Sequence, residues 1–233
     1  MRGKVALVLT LLAAAALTAA AASFVAGRDR TVKAMPECPA GRPVVIDPGH
    51  GGIDGGANVP NFMLEKAIVL DVALRLKSYL EMRGIPVVLT RTTDVDLGGQ
   101  YDGSRLTRDL HFRSGVANQC QGSLMLSIHV NSAANTAERG MMIFYQSSRP
   151  SRDAAFFFDQ LLRSRGLNGR DEAPHPRDTF HVLRAVKAPA LLLELGFITN
   201  AADRQLLADV SFRDQVAEAL AGGCETIYQK WTK

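Results

Sequence analysis

Four residues have types and settings suited to hydrolytic chemistry: His50, Glu65, His129 and Glu194. His50 lies in Val44-Val45-Ile46-Asp47-Pro48-Gly49-His50-Gly51-Gly52, a β-branched run that stops at a proline and then offers one imidazole between glycines. Glycine on both sides lets the backbone approach a ligand closely, and a strand behind the loop fixes where the ring points. Two imidazoles and one carboxylate suit Zn2+, with a fourth position kept open for water in a catalytic site. His50, Glu65 and His129 would supply those three ligands, for one zinc per chain. Manganese or iron also accept such a set. A bound metal lowers the pKa of its water from about 15.7 to about 7 and polarises a carbonyl oxygen. The remaining need is a proton carrier. Glu194, set in the apolar run Ala190-Leu191-Leu192-Leu193-Glu194-Leu195, is expected to have its ionised form disfavoured and its pKa raised, which suits it to take and return a proton.

Each residue also has a plainer use. Glu65 favours a helix dipole at a first turn, His129 serves as a hydrogen-bonded core histidine, and an arginine elsewhere neutralises Glu194. His111 and His175 read as surface residues, whereas His181, beside Val182-Leu183-Arg184, is a candidate for the cleft lining.

The elements that must position these groups follow from periodicity. Val44 onwards is a buried strand, and Glu65 to Met82 places Val69, Val72, Ala73, Leu76, Tyr79 and Leu80 at helical spacing, closed by Arg83-Gly84. Pro86 to Thr90 is the next strand, Arg91 to Ser104 an Asp-rich loop, and Leu106 to Asn118 a helix. Ser123 to Val130 is a strand apolar enough to be covered on both faces, ending at His129. Gly140 to Tyr145 reads as a strand, Asp153 to Arg163 as a helix, and Gly166 to Thr179 as a long polar loop. Ala190 to Leu195 is the last strand, followed by helical Ala202 to Ala208 and Phe212 to Tyr228. This alternation argues a single α/β domain with an open, largely parallel mixed sheet of about six strands flanked by helices. Ligands of such sheets bind beyond the carboxyl ends of the strands. His50, His129 and Glu194 all sit at strand ends that converge there.

The 233-residue chain is 47% hydrophobic and 21% charged, which is globular and excludes a disordered chain. Its net charge of +4 comes with scattered arginines and no aromatic interleaving, so no nucleic-acid partner is expected. Residues 1–26 hold the apolar run Val5 to Ala26 behind Arg2 and Lys4, long enough to span a hydrocarbon core of about 30 Å. This is a signal or membrane anchor that exports the rest. Ala20-Ala21-Ala22 would serve as a cleavage site, but the run exceeds the usual core of about 7–15 residues, which favours an uncleaved anchor. Residues 27–43, with Pro36, Pro39 and Pro43, read as a linker, and 44–233 as the catalytic domain. Cys38, Cys120 and Cys224 show no CxxC spacing; one disulfide is open to them, with its partners undetermined. Oligomeric state is not encoded in any motif.

From Val44 to Tyr228 the chain resembles the zinc-dependent N-acetylmuramoyl-L-alanine amidases of bacterial cell walls, with their phosphorylase/hydrolase-like α/β fold. The likeness rests on Ile46-Asp47-Pro48-Gly49-His50-Gly51-Gly52, Leu64-Glu65-Lys66, Val88-Leu89-Thr90-Arg91, Ser127-Ile128-His129-Val130-Asn131 and Leu193-Glu194-Leu195-Gly196-Phe197-Ile198-Thr199-Asn200, in that order. It implies His50, Glu65 and His129 as zinc ligands, Glu194 as the catalytic acid/base, and Asn131, Arg113 and His181 as substrate-binding residues. The implied substrate is peptidoglycan, cut between the lactyl group of N-acetylmuramic acid and the L-alanine of the stem peptide. Asp94-Val95-Asp96-Leu97, Thr107-Arg108-Asp109-Leu110 and Arg113, with no wall-binding repeat, are similar to the germination-specific amidases that strip stem peptides from spore cortex for muramic-δ-lactam formation. Some of those need an accessory lipoprotein. Arg139-Gly140-Met141-Met142 and Phe180-His181-Val182-Leu183 depart from the commoner family spellings. Arg113 has the alternative of bracing its helix.

Rival readings are a general vegetative wall amidase, another zinc peptidoglycan hydrolase such as a carboxypeptidase or deacetylase, a non-enzymatic wall-binding protein, and a membrane tether. Retention of all four residues disfavours a decayed, non-enzymatic site.

Overall fold

The computed structural model describes residues 34–99 and 102–232. The apolar run Val5 to Ala26 lies outside them, and among the described residues no helix is long and apolar enough to cross a membrane. Residues from Met35 onward form one compact unit. Residues 35–43, read from sequence as linker, therefore belong with the domain. The physical reason is a Cys38–Cys120 disulfide, which pins this segment to the helix that precedes the third strand.

Six strands form one sheet in the order β2-β1-β3-β6-β4-β5. They are β1 (Val44–Pro48), β2 (Val87–Leu89), β3 (Leu124–Asn131), β4 (Met142–Tyr145), β5 (His175–Pro176) and β6 (Ala190–Phe197). β1 pairs in parallel with β2 and β3, and β3 with β6. β4 runs antiparallel to β6, and β5 parallel to β4. The sheet is thus the largely parallel, mixed one expected. β5 is a correction to the long polar loop read over Gly166 to Thr179: it joins through the backbone beside Phe144 and Tyr145, a pairing that two residues of sequence do not signal.

Side chains alternate across the sheet, and each face has its own core. Val44, Ile46, Leu124, Leu126, Ile128, Leu191 and Leu193 face α1 (Glu65–Met82), α3 (Arg149–Ser164) and α6 (Val210–Thr232). Val45, Val88, Met125, Phe144 and Leu192 face α2 (Arg105–Gln119) and the short α4 (His181–Arg184). α5 (Ala201–Ala208) follows β6. Cover on both faces explains why the strands are almost unbrokenly apolar.

The exception is the second face, where Asp47 and Ser127 replace the expected aliphatics near the strand ends. Asp47 is fully buried and accepts from Thr90 Oγ1 at 2.6 Å, Ser127 Oγ at 2.7 Å and Arg113 Nη1 at 2.8 Å. Burial alone would raise its pKa, but the Arg113 charge and these bonds hold it below the usual carboxylate range.

α1 begins without a side-chain cap, because Leu64 holds the N-cap position. Carbonyls of the preceding loop cap it instead: the Glu65 N–H donates to Ala57 O and the Lys66 N–H to Gly55 O, both at 3.2 Å. Glu65 thus stands at the first turn with its carboxylate directed elsewhere. At the far end Gly84, at φ 68°, and the Ile85 N–H bond to Leu80 O close the helix with a Schellman turn.

Candidate active site

Three side chains meet beyond the carboxyl ends of β1 and β3. Candidate ligand atoms of His50, Glu65 and His129 all lie within 4.8 Å of one another. Glu65 Oε1 is the centre, 3.1 Å from His50 Nε2 and 3.0 Å from His129 Nδ1. The carboxylate is held by two backbone donors, Val130 N–H to Oε1 at 2.9 Å and Ala57 N–H to Oε2 at 2.6 Å. Burial pushes the Glu65 pKa up, but the hydrogen bonds and positive charge of the two imidazoles outweigh it and hold the group well below its ordinary value.

His50 is steered from behind. Its Nδ1 lies 2.9 Å from Asp54 Oδ2, an acceptor that keeps a proton on Nδ1 and leaves Nε2 as the nitrogen facing Glu65. Burial lowers the His50 pKa, yet the hydrogen bonds and charges of Asp54 and Glu65 prevail and push it up to about 9. Asp54 in turn falls to about 2, chiefly through its bond to His50. Sequence reasoning missed Asp54; an acid four positions after the histidine, inside the same Gly-rich loop, was the available signal.

Close approach explains two glycines. A Cβ on Gly49 would come within 2.3–2.7 Å of three atoms of the His129 ring, and one on Gly56 within 2.5 Å of Glu65 Oε2. The packed arrangement therefore leaves no room for a side chain at either position.

Glu194 enters from β6 as the register partner of His129. Among the described residues its Oε2 is the buried side-chain polar atom without a hydrogen-bond partner. Burial raises the Glu194 pKa to about 7; the nearby His129 charge pulls against this and Glu65 adds to it. An orphaned buried oxygen is costly unless it serves a ligand or a reaction.

The donor set fits a zinc ion. Two imidazoles and a carboxylate offer one atom each to a common point, one imidazole has a carboxylate behind it, and a fourth group stands aside with an unpaired oxygen.

The other candidates are placed differently. Arg113 is 3% exposed beneath the His50 loop and bonded to protein acceptors throughout, the bracing role open to it from sequence. Its length and its place on the buried face of α2 let it reach under β1. Asn131 ends β3, with Nδ2 3.6 Å from Met142 Sδ and Oδ1 accepting from the Ser132 N–H. His181 opens α4, its Nε2 3.5 Å from Ser114 Oγ and its ring 4.6 Å from that of His111. The structure does not bring His181 into the His50–Glu65–His129 group. His175 packs its ring 6.3 Å from Phe144 and bonds Glu172 Oε1.

Comparison with known proteins supplies the affiliation. The family model described as N-acetylmuramoyl-L-alanine amidase matches residues 44–226. A germination-specific N-acetylmuramoyl-L-alanine amidase of Bacillus subtilis is 32% identical over 188 residues, 78% of each chain. A sporulation-specific amidase of the same organism is 34% identical over 189 residues, 79% of this chain and 68% of the relative. Among solved structures, the CwlD amidase of Clostridioides difficile, in complex with the GerS lipoprotein, superposes with a TM-score of 0.76 at 26% identity, covering 82% of this chain and all of that one. The fold, the motif order and these matches agree, and the chain belongs to the N-acetylmuramoyl-L-alanine amidase family, enzymes that hydrolyse peptidoglycan.

Proposed function

We propose that this amidase is zinc-dependent, with His50, Glu65 and His129 as ligands and Glu194 as the catalytic acid/base, and that its substrate is spore-cortex peptidoglycan. One observation carries the proposal: three ligand atoms within 4.8 Å of one another beside a buried carboxyl oxygen that has no hydrogen-bond partner among the described residues. When bound, zinc supplies Lewis-acid polarisation of the scissile carbonyl and lowers the pKa of water to about 7. Everything else falls to the chain. Asp54 holds the His50 ring, the Val130 and Ala57 amides hold Glu65, and Glu194 accepts a proton from the attacking water. A pKa near 7 lets Glu194 then deliver that proton to the departing alanine nitrogen, so the amide C–N bond breaks with the amine leaving neutral. No covalent enzyme intermediate is needed. Asn131 and His181 are proposed to contact substrate beside this centre.

Relatives named for germination and sporulation support a cortex substrate. Action on a wall polymer requires export, for which residues 1–26 are the proposed signal or anchor, and the Cys38–Cys120 disulfide suits an oxidising, extracytoplasmic setting. The lipoprotein bound to the Clostridioides difficile neighbour supports an accessory lipoprotein here. The test is to incubate the purified full-length chain with vegetative and with cortex peptidoglycan, with and without zinc, and to identify the products by mass spectrometry. Intact stem peptides with a free L-alanine amine, released only with zinc and faster from cortex, are expected. Zinc-independent release would remove the metal from the reaction, and equal rates on both polymers would remove the cortex preference.

A further inference from the structure

Beneath the candidate centre, each carbonyl from Pro48 to Gly52 has a donor. Pro48 O accepts from Arg91 Nε at 3.0 Å and Arg113 Nη1 at 2.8 Å, Gly49 O from Arg91 Nη2 at 2.7 Å, and His50 O from Arg113 Nη2 at 2.7 Å. Gly51 O accepts from the Asp54 N–H at 3.1 Å, and Gly52 O from Lys66 Nζ at 2.7 Å. The loop is gripped almost wholly by cationic side chains. It needs the grip, because His50 sits at φ 59°, a left-handed conformation that residues with a Cβ adopt only where their surroundings over-determine it.

We propose that Arg113, assisted by Arg91, is a positioning residue for metal capture: it locks His50 in the left-handed conformation that aims Nε2 at the ligand site. The proposal rests on the zinc reading above and adds a residue to it. Both guanidiniums are almost fully buried, at 1% exposure for Arg91 and 3% for Arg113. Arg113 uses all of its N–H donors: Nε and Nη2 on Asp109, Nη1 on Asp47 and Pro48 O, and Nη2 on His50 O. Asp47 and Asp109 balance the two arginine charges, so the grip adds no net positive charge under an incoming cation. Asp47 is itself tied to β2 through Thr90 and to β3 through Ser127, so the grip refers His50 to the same strands that present His129. The arrangement is a rigid link between the two imidazoles.

A buried ion-pair network could instead serve the fold alone, and lysine separates the two roles. Arg113→Lys keeps a charge for Asp47 or Asp109, but an ammonium cannot span both carboxylates and the His50 carbonyl at once. The expected result, measured on the full-length chain well below its melting temperature by competition with a chromophoric zinc chelator, is a zinc affinity lower by roughly 10-fold to 100-fold, as for other residues that orient ligands. The stoichiometry should stay at one zinc per chain, and activity should recover at saturating zinc. Arg213→Lys is the control. Arg213 is similarly buried at 6% and bonds Asp71 and the Leu207 and Ala208 carbonyls. It should lose stability without losing zinc affinity. If Arg113→Lys does not fold, Asp109→Asn leaves Arg113 present while loosening it, and a smaller loss of zinc affinity is expected. Unchanged affinity in a folded variant, or an equal loss in Arg213→Lys, overturns the positioning role. A wild-type chain that binds no zinc overturns the metal reading instead, so the two failures are told apart.

Discussion

Glu194 and His129 are register partners across the parallel pair β6 and β3, so a buried carboxyl and an imidazole leave adjacent strands side by side. This puts the proton carrier next to the ligand set without any contribution from a mobile loop. Both residues share one face of the sheet with Leu192 and Ser127, by the two-residue alternation of strands. The chemistry of the site is therefore tied to sheet register.

The first prediction follows directly. Glu194→Gln preserves shape and the sheet but cannot exchange a proton, so zinc binding should persist while turnover falls by roughly 10²-fold to 10⁴-fold. Zinc content and steady-state rates on purified peptidoglycan measure both halves. Wild-type turnover in the variant would eliminate Glu194 from the reaction.

Glu194 also makes the metal-free protein sensitive to pH. Burial raises its pKa from 4.5 to about 7. Between those values the unfolded chain has released the proton and the folded chain still holds it, so stability falls as pH rises through this window. The contribution is fully present below about 4.5 and lost as pH passes through 7. Melting temperatures of wild type and Glu194→Gln, recorded in chelator from pH 4 to pH 8, should diverge in favour of the variant between about pH 4.5 and pH 7 and run parallel above about 7. A constant difference would show that the folded carboxyl titrates like the unfolded one.

The tightness of the centre predicts a steric mutant. In Gly49→Ala the added Cβ would meet the His129 ring at 2.3–2.7 Å, so the ring must move away from Glu65 Oε1. Overpacking of this kind costs about 1–3 kcal/mol, and here it also displaces a ligand, so zinc affinity should fall at least tenfold. Gly103→Ala, where a Cβ meets nothing within 4 Å, is the comparison and should match wild type. Equal zinc affinity in the two variants would mean that the loop yields without disturbing His129.

Much of this site is legible in the sequence because its signals are local. A β-branched run that breaks at Pro48-Gly49 announces the His50 loop, an apolar run that turns polar at Asn131 announces His129, and an acid within Ala190 to Leu195 announces Glu194. What escapes is what depends on pairs far apart in the chain. Asp47 bonds Arg113 across 66 residues and Ser127 across 80, and no window of sequence relates them. Nothing local to Arg113 therefore announces that its partners lie underneath the loop. β5 escapes for another reason, since two residues paired through backbone carry no hydrophobic period.

The disulfide belongs to the same class of distant pair and gives the last prediction. Cys38 and Cys120 are 82 positions apart, and the bridge joins the segment before β1 to the C-cap of α2. Cys38 precedes the start of β1 and Cys120 the start of β3, so the bridge belongs to the amino ends of these strands, whereas His50 and His129 belong to their carboxyl ends. Replacing both cysteines by serine should therefore cost about 2–4 kcal/mol of stability, on the order of 5–15 °C in Tm for a chain of this size, with turnover at 25 °C unchanged. Cys224, buried with its thiol pKa pushed up by desolvation, should stay unreactive towards thiol reagents until the chain unfolds. An unaltered Tm would mean that the bridge closes a segment already held by packing. A loss of turnover well below the melting transition would mean that α2 transmits the cut to Arg113 and the loop it grips.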